Sequence, residues 1–416
     1  MTKYLTKYEN MSAYEADTQK DYPNVSYIVD TDEVVWQKEK PYAERYLTFV
    51  AEEDGTFRFS GNSISYSLDD GTTWTELASD TDTPTIAAGS KIMWKANGLT
   101  PTSTIGIGRF TSSGRFYVEG NIMSLVSGDS FSNATTVQSN QFNTLFGGAT
   151  GLTSAQNLVL TATTLAKGCY YGIFSNCTSL TTAPELPATT LASDCYQNMF
   201  ASCFSLTTAP ELPATTLASS CYSFMFAGCR SLTTAPELPA TTLAIACYQG
   251  MFSNCTSLTT APELPATTLA YACYRNMFQG CTSLTTAPEL PATTLVSNCY
   301  QSMFSNCTSL TTAPELPATT LASACYESMF SNCTSLTTAP ELPATTLVSN
   351  CYLGMFNGCT NLNSITCLTT DISANGCTTN WLSNVASTGT FVKAASMTGW
   401  PTGANGIPTG WTVQDV

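Results

Sequence analysis

The nonapeptide APELPATTL begins at Ala183, Ala209, Ala235, Ala261, Ala287, Ala313 and Ala339, each copy 26 residues after the last. No other feature of this 416-residue chain restricts its fold so strongly. A unit of that length cannot bury an apolar face by itself. Copies must stack, each one covering its neighbour. The full unit reads L-T-T-A-P-E-L-P-A-T-T-L-A-x-x-C-Y-x-x-M-F-x-x-C-x-S.

The array extends beyond the perfect copies. Residues 134–155 align without a gap on 188–209, so that Phe142 falls on Tyr196, Leu145 on Met199, Phe146 on Phe200 and Leu152 on Leu206. A second coil starts at Ala162 after a two-residue insertion. At the other end Cys377, Trp381, Leu382 and Val385 follow Cys351, Met355, Phe356 and Cys359 by 26 residues. The expectation is a mainly β solenoid with short helical turns over residues 130–385. It has ten coils, starting near residues 134, 162, 188, 214, 240, 266, 292, 318, 344 and 370. At roughly 4.8 Å per coil it spans about 48 Å.

Within a coil, Leu180–Thr182 and Ala188–Leu191 read as extended pieces joined by a Pro-marked bend. Pro184 and Pro187 cannot donate to a ladder, so any continuous strand is very short. Cys195, Met199 and Cys203 stand at i, i+4 and i+8, which reads as one face of a helical turn. The inward set is Leu180, Leu191, Cys195, Met199, Phe200, Cys203 and Leu206.

The turn followed by Cys177-Thr-Ser-Leu-Thr resembles the BspA-type leucine-rich repeat of gut and oral bacteria. That family's units end in an A-F-x-x-C-x-S-L-T-S-I pattern. The resemblance covers about residues 134–385 and implies a leucine-rich-repeat array with an adhesive surface. This chain departs from it in its longer unit and in its prolines.

Residues 1–44 read as a small attachment or oligomerisation module, with a helix over Ser12–Lys20 and strands at 24–30 and 33–37. It is too small to be stable alone. Residues 45–129 alternate strongly through YLTFVA, TFRFS, SISYSL, TWTEL, KIMWKA and RFYVEG, with turn residues between, which reads as a β-sandwich-like domain. Ser67–Trp74 (SLDDGTTW) resembles the Asp-box hairpin of sialidases. No Arg cluster or Tyr-Glu pair accompanies it, and the plainer reading is a closed hairpin turn. Residues 386–416 break the repeat and read as a cap in which Trp381, Trp400 and Trp411 cover the last coil.

Composition excludes several chemistries. The chain has no histidine, which removes the Ser-His-Asp triad, the Cys-His pair and His-containing zinc sites. With 30 acidic and 15 basic residues it is a poor partner for nucleic acid. No run of about 18 apolar residues offers a membrane span. The opening residues lack the apolar stretch of a secretory signal, and the first cysteine is Cys169. The expectation is therefore no membrane insertion, no cofactor, no metal and no enzyme.

The 18 cysteines fall in two registers, Cys169 to Cys377 and Cys177 to Cys359. Helical rise would place Cys195 and Cys203 about 12 Å apart, too far for a bridge. Bridges between neighbouring coils remain open beside the plainer reading of reduced, buried apolar filler.

One glutamate per coil, Glu185, Glu211, Glu237, Glu263, Glu289, Glu315 and Glu341, makes a like-charge row. At about 5 Å spacing each neighbour pair costs about 0.8 kcal/mol in water, whereas burial would be prohibitive, so the row faces outward. Either it is a solvated face, or with Thr181, Thr182 and their equivalents it binds cations or a repeating glycan. Variation concentrates around the helical turn instead. Phe224, Ile245, Tyr271, Arg275 and Leu353 stand out where other coils carry small or polar residues, either by drift or as a recognition patch.

Residues 7–37 resemble N-terminal segments of appendage or fibre proteins in phages of gut Bacteroides, crAss-like or related. The segment from Gly389 resembles the ends of leucine-rich-repeat proteins from those phages and their hosts. This resemblance implies a non-enzymatic virion structural protein, in a head or tail fibre, assembled in the host cytoplasm. Its expected partners are other virion proteins through the N-terminal module, a host surface glycan or protein, and further copies of itself. The alternative is a BspA-like adhesin on a bacterial cell surface.

Overall fold

The computed structural model describes residues 40–96, 98–102 and 106–416, together with the backbone of three strands nearer the N-terminus. Those strands are β1 (Lys7–Tyr8), β2 (Val25–Asp30) and β3 (Glu33–Lys38), in the order β1-β3-β2. β2 and β3 form an antiparallel hairpin that closes at Asp30 opposite Glu33. The helix expected over Ser12–Lys20 lies outside the described residues.

The described chain is mainly β, with one short α-helix at Ser124–Ser127. Strands β4 (Leu47–Ala51), β5 (Phe57–Gly61), β6 (Ile64–Ser67), β7 (Thr75–Leu77) and β8 (Lys91–Lys95) follow the alternation in the sequence. β9 (Gly108–Ser112), which the sequence did not reveal, precedes β10 (Phe116–Asn121). β5 and β9 pair as a two-stranded sheet, and the others join a six-stranded sheet. That larger sheet is completed by β11 (Asn157–Val159), giving the order β11-β10-β4-β8-β6-β7. Phe49, Phe57, Trp94, Phe110 and Phe116 fill the space behind it with ring centroids 4.8–6.4 Å apart.

β11 comes from the stretch interrupting the first two coils and pairs in parallel with β10, Gly120 opposite Leu158. Phe110 also meets Phe146 of the first coil at 5.9 Å. A single apolar cluster therefore runs from Leu47 through the repeats to Trp411.

The stacked repeats contain no helix, which corrects the helical-turn reading. In residues 192–203 the amides alternate between two destinations. Those of Cys195, Gln197, Met199, Ala201 and Cys203 donate three residues back at 3.0–3.3 Å, closing successive tight turns. Those of Asp194, Tyr196, Asn198, Phe200 and Ser202 donate to Ser219, Cys221, Ser223, Met225 and Ala227 of the next coil at 2.7–3.0 Å. Asp194, Asn198 and Ser202 have φ of 57–61°, so every fourth residue is left-handed. Such a chain of turns has a period of four. It turns two residues inward and two outward, where a helix would drift.

The same ladder links Phe142 to Cys169 and Phe146 to Ile173 at one end and Phe356 to Trp381 at the other. Each such bond runs from one coil to the next in the same direction. At the first coil, Ile107 and Phe110 of the β-domain supply the amides that Gln141 and Leu145 carbonyls accept. At the last, Asn380 donates to Asn405 Oδ1 and Leu382 to the Ala404 carbonyl.

Inward pairs build two aromatic columns. Tyr170 to Tyr352 stack at 5.8–6.1 Å, and Phe146 to Phe356 at 5.4–5.7 Å. These centroid steps exceed the expected 4.8 Å because near-parallel rings stack with a lateral offset. Tyr196, absent from the expected inward set, is buried, as are Leu186 and Ala188. Leu191 is only half-buried. On the opposite side the prolines leave single parallel bridges such as Thr234 to Thr260 and Thr260 to Thr286. A longer parallel ladder appears where the PELP motif ends, through β12 (Ser364–Cys367), β13 (Thr390–Lys393) and β14 (Thr412–Asp415). Trp381 stacks between Tyr352 at 6.1 Å and Trp400 at 5.4 Å, and Trp411 donates to the Ala386 carbonyl at 2.8 Å.

Candidate functional site: two faces of the stacked repeats

All 18 cysteines are buried and free. Cys203, Cys229, Cys255 and their equivalents each donate a thiol hydrogen bond at 3.0–3.2 Å to the phenylalanine carbonyl of the preceding coil. Burial pushes the Cys177, Cys229 and Cys307 thiols up to about 12. A thiol held neutral is neither a nucleophile nor a metal ligand. Among the described residues no three His, Cys, Asp or Glu side chains gather as a metal site, and no helix is long and apolar enough to cross a membrane.

The Asp-box segment is self-contained. Asp69 accepts from the Thr73 amide at 2.8 Å, from the Thr73 hydroxyl at 2.7 Å and from Ser67 Oγ at 2.8 Å. The Thr73 hydrogen bonds chiefly, with Ser67, hold its carboxyl down at about 2. Trp74 Nε1 donates to the Gly71 carbonyl at 3.0 Å. The carboxylate is thus occupied in closing the β6–β7 turn.

One face of the repeats carries Glu185, Glu211, Glu237, Glu263, Glu289, Glu315 and Glu341, all exposed. The leucine that follows each is buried and the second proline of each motif holds the strand open, which fixes the glutamate outward. Thr233 and Thr234 on one side of Glu237, and Thr241 and Thr242 on the other, are exposed, and the neighbouring coils repeat this arrangement. The result is a surface with one carboxylate and four hydroxyls per coil.

The other face is the outer side of the tight turns. Ile245 and Tyr271 occupy the same position in successive coils and are 53% and 51% exposed. Other coils carry serine there, at Ser193, Ser219, Ser297, Ser323 and Ser349. The Ala246 amide donates to the Tyr271 carbonyl at 2.9 Å, which sets the two coils in register at this point. Arg275 stands one turn further along the Tyr271 coil and is half-buried, with a buried Nε that has no partner. Phe224 and Leu353 are also half-buried. The Phe224 ring lies over Gly250, so part of its surface is spent on packing. Leu353 lies three coils beyond Arg275, apart from the others.

Sequence reasoning missed the left-handed positions. Their signal was present, since Asn, Gly, Ser, Ala and Asp dominate every fourth residue of each turn segment.

A family model described as the BspA type Leucine rich repeat region (6 copies) matches residues 160–285 and 248–375. No match was found among curated proteins or among solved structures.

Proposed function

The chain belongs to the BspA-type leucine-rich-repeat family, and from that premise we propose that it is a non-enzymatic adhesion protein. Its ten-coil solenoid serves as a rigid binding surface. The observation that carries this reading is the exposed glutamate row flanked by exposed threonines on one face. Evenly spaced carboxylates and hydroxyls suit a ligand with its own repeat, a surface glycan above all, and each rung adds a small increment to a multivalent contact. The turn segments behind it are hydrogen-bonded from each coil to the next, which limits the ordering entropy lost on binding.

Glycan-array binding of the intact chain and of the Glu237→Gln, Glu263→Gln, Glu289→Gln triple variant tests this. Loss of binding in the variant is expected. Unchanged binding would reduce the row to a solubility feature.

A finer reading places the protein in a virion appendage, as a homo-oligomer attached through its N-terminal module. The resemblance of residues 7–37 to phage appendage proteins favours it. Immunogold labelling of purified particles is the test, and particles that never label would leave the cell-surface adhesin as the standing reading.

A further inference from the structure

We propose that the outer turn face carries a second, independent docking site, formed by Ile245, Tyr271 and Arg275, for a protein segment that presents a carboxylate beside a large apolar side chain. Three observations converge on it. Ile245 and Tyr271 are more than half exposed, and they are set in register by the hydrogen bond between their coils. Serine at the same position elsewhere shows that the fold does not need them apolar. Arg275 lies on the same face, with neutral Gln249 and Gln301 at its position in the flanking coils. Its Nε is buried and, among the described residues, has no hydrogen-bond partner.

The charges of this chain make that arginine unusual. Between Leu152 and Asn363 there are nine acidic and three basic residues, and Lys167 and Arg230 lie in other coils. An arginine fork held partly out of water gains most from a planar carboxylate, which it can grip with two parallel hydrogen bonds. Tyrosine and arginine are among the side chains enriched in binding hot spots. The exposed apolar area of Ile245 and Tyr271 favours a peptide over a uronate sugar, whose ring offers little aliphatic bulk to bury. Phe224 packs over Gly250, one coil before Arg275.

The site is separable from the glutamate face, and so is its test. A displayed random-peptide library is selected against the intact chain, and the enriched peptides are titrated against single variants. Arg275→Gln, Ile245→Ser and Tyr271→Ser each install the residue that neighbouring coils already carry, so the fold is kept, which circular dichroism and the melting curve verify. Enriched peptides should pair Asp or Glu with Leu, Phe or Trp. Their affinity should fall about tenfold or more in each variant and stay unchanged in Leu353→Ser and in the Glu237→Gln, Glu263→Gln, Glu289→Gln triple variant. The proposal is overturned if selection enriches no such peptides, or if the three variants bind them as tightly as the parent. It is equally overturned if the patch residues prove to govern only self-association in sedimentation, or only binding of uronate oligosaccharides.

Discussion

The ring of Phe224 lies over the α-carbon of Gly250 in the following coil, so that a side chain at 250 would collide with Cε1 and meet Cζ at 3.0 Å. Both residues are left-handed, with φ of 53° and 60°. For phenylalanine that conformation is costly, about 1–2 kcal/mol. The equivalent positions of flanking coils hold Asn198 and Asn276, which tolerate it. The bulky residue and the missing side chain thus belong to one local exchange across the coil boundary.

Gly250→Asn alone should lower stability by about 1–3 kcal/mol, because asparagine accepts the backbone but not the space. The Phe224→Asn, Gly250→Asn double variant restores the arrangement of other coils and should recover most of that loss. Urea unfolding of the four proteins gives the coupling energy, and additive effects would show that the contact does not matter.

Trp381→Ala should cost about 3–5 kcal/mol. The indole is fully buried between Tyr352 and Trp400, and its Nε1 donates to the Gly406 carbonyl at 3.0 Å. The loss should be local at first. Hydrogen exchange ought to quicken at the Tyr352 and Phe356 amides, which depend on the last coil for acceptors, while Tyr222 stays protected.

Phe110→Ala tests the junction of the β-domain with the repeats. Phe110 touches Phe49, Trp94 and, across the junction, Phe146, and its amide caps the Leu145 carbonyl. A loss of about 3–5 kcal/mol is expected. Because the core is continuous, protection should fall in β4 and in the first coil together. Exchange confined to the β-domain would contradict that continuity.

The buried thiols predict an alkaline limit. Burial holds Cys177, Cys229 and Cys307 up at about 12 and also raises the stacked tyrosines. An unfolded thiol ionises near 8.5. The folded state therefore retains protons that the unfolded state gives up, and stability falls as pH rises from about 8 towards 12. Urea midpoints should be level between pH 6 and 7, fall from about pH 8 and drop steeply above about 8.5. At pH 8, Ellman's reagent should find almost no reactive thiol until denaturant is added, and then all 18.

Much of the fold was legible because a tandem repeat repeats its evidence. Seven identical copies of APELPATTL fixed the stacking, the outward glutamates and the shortness of the strands. What failed was the local conformation of C-Y-x-x-M-F-x-x-C. Residues at i, i+4 and i+8 fit a helix and a four-residue turn equally over so short a span. The aromatic columns were missed for the same reason, since a helix would have put Tyr196 to one side. The turn-face site was half visible: Ile245, Tyr271 and Arg275 stood out as departures from the repeat, but so did Phe224 and Leu353.

The sequence by itself determined that identical units stack in register, because a 26-residue period with one apolar set per unit has no other way to bury it. Tertiary structure alone decided how the turn segment satisfies its backbone. Half of its amides bond within the turn and half to the next coil, and that partner is a residue 25 positions away. No local pattern encodes such a bond, and it is this bond that selects turns over helix and sets which side chains meet the solvent.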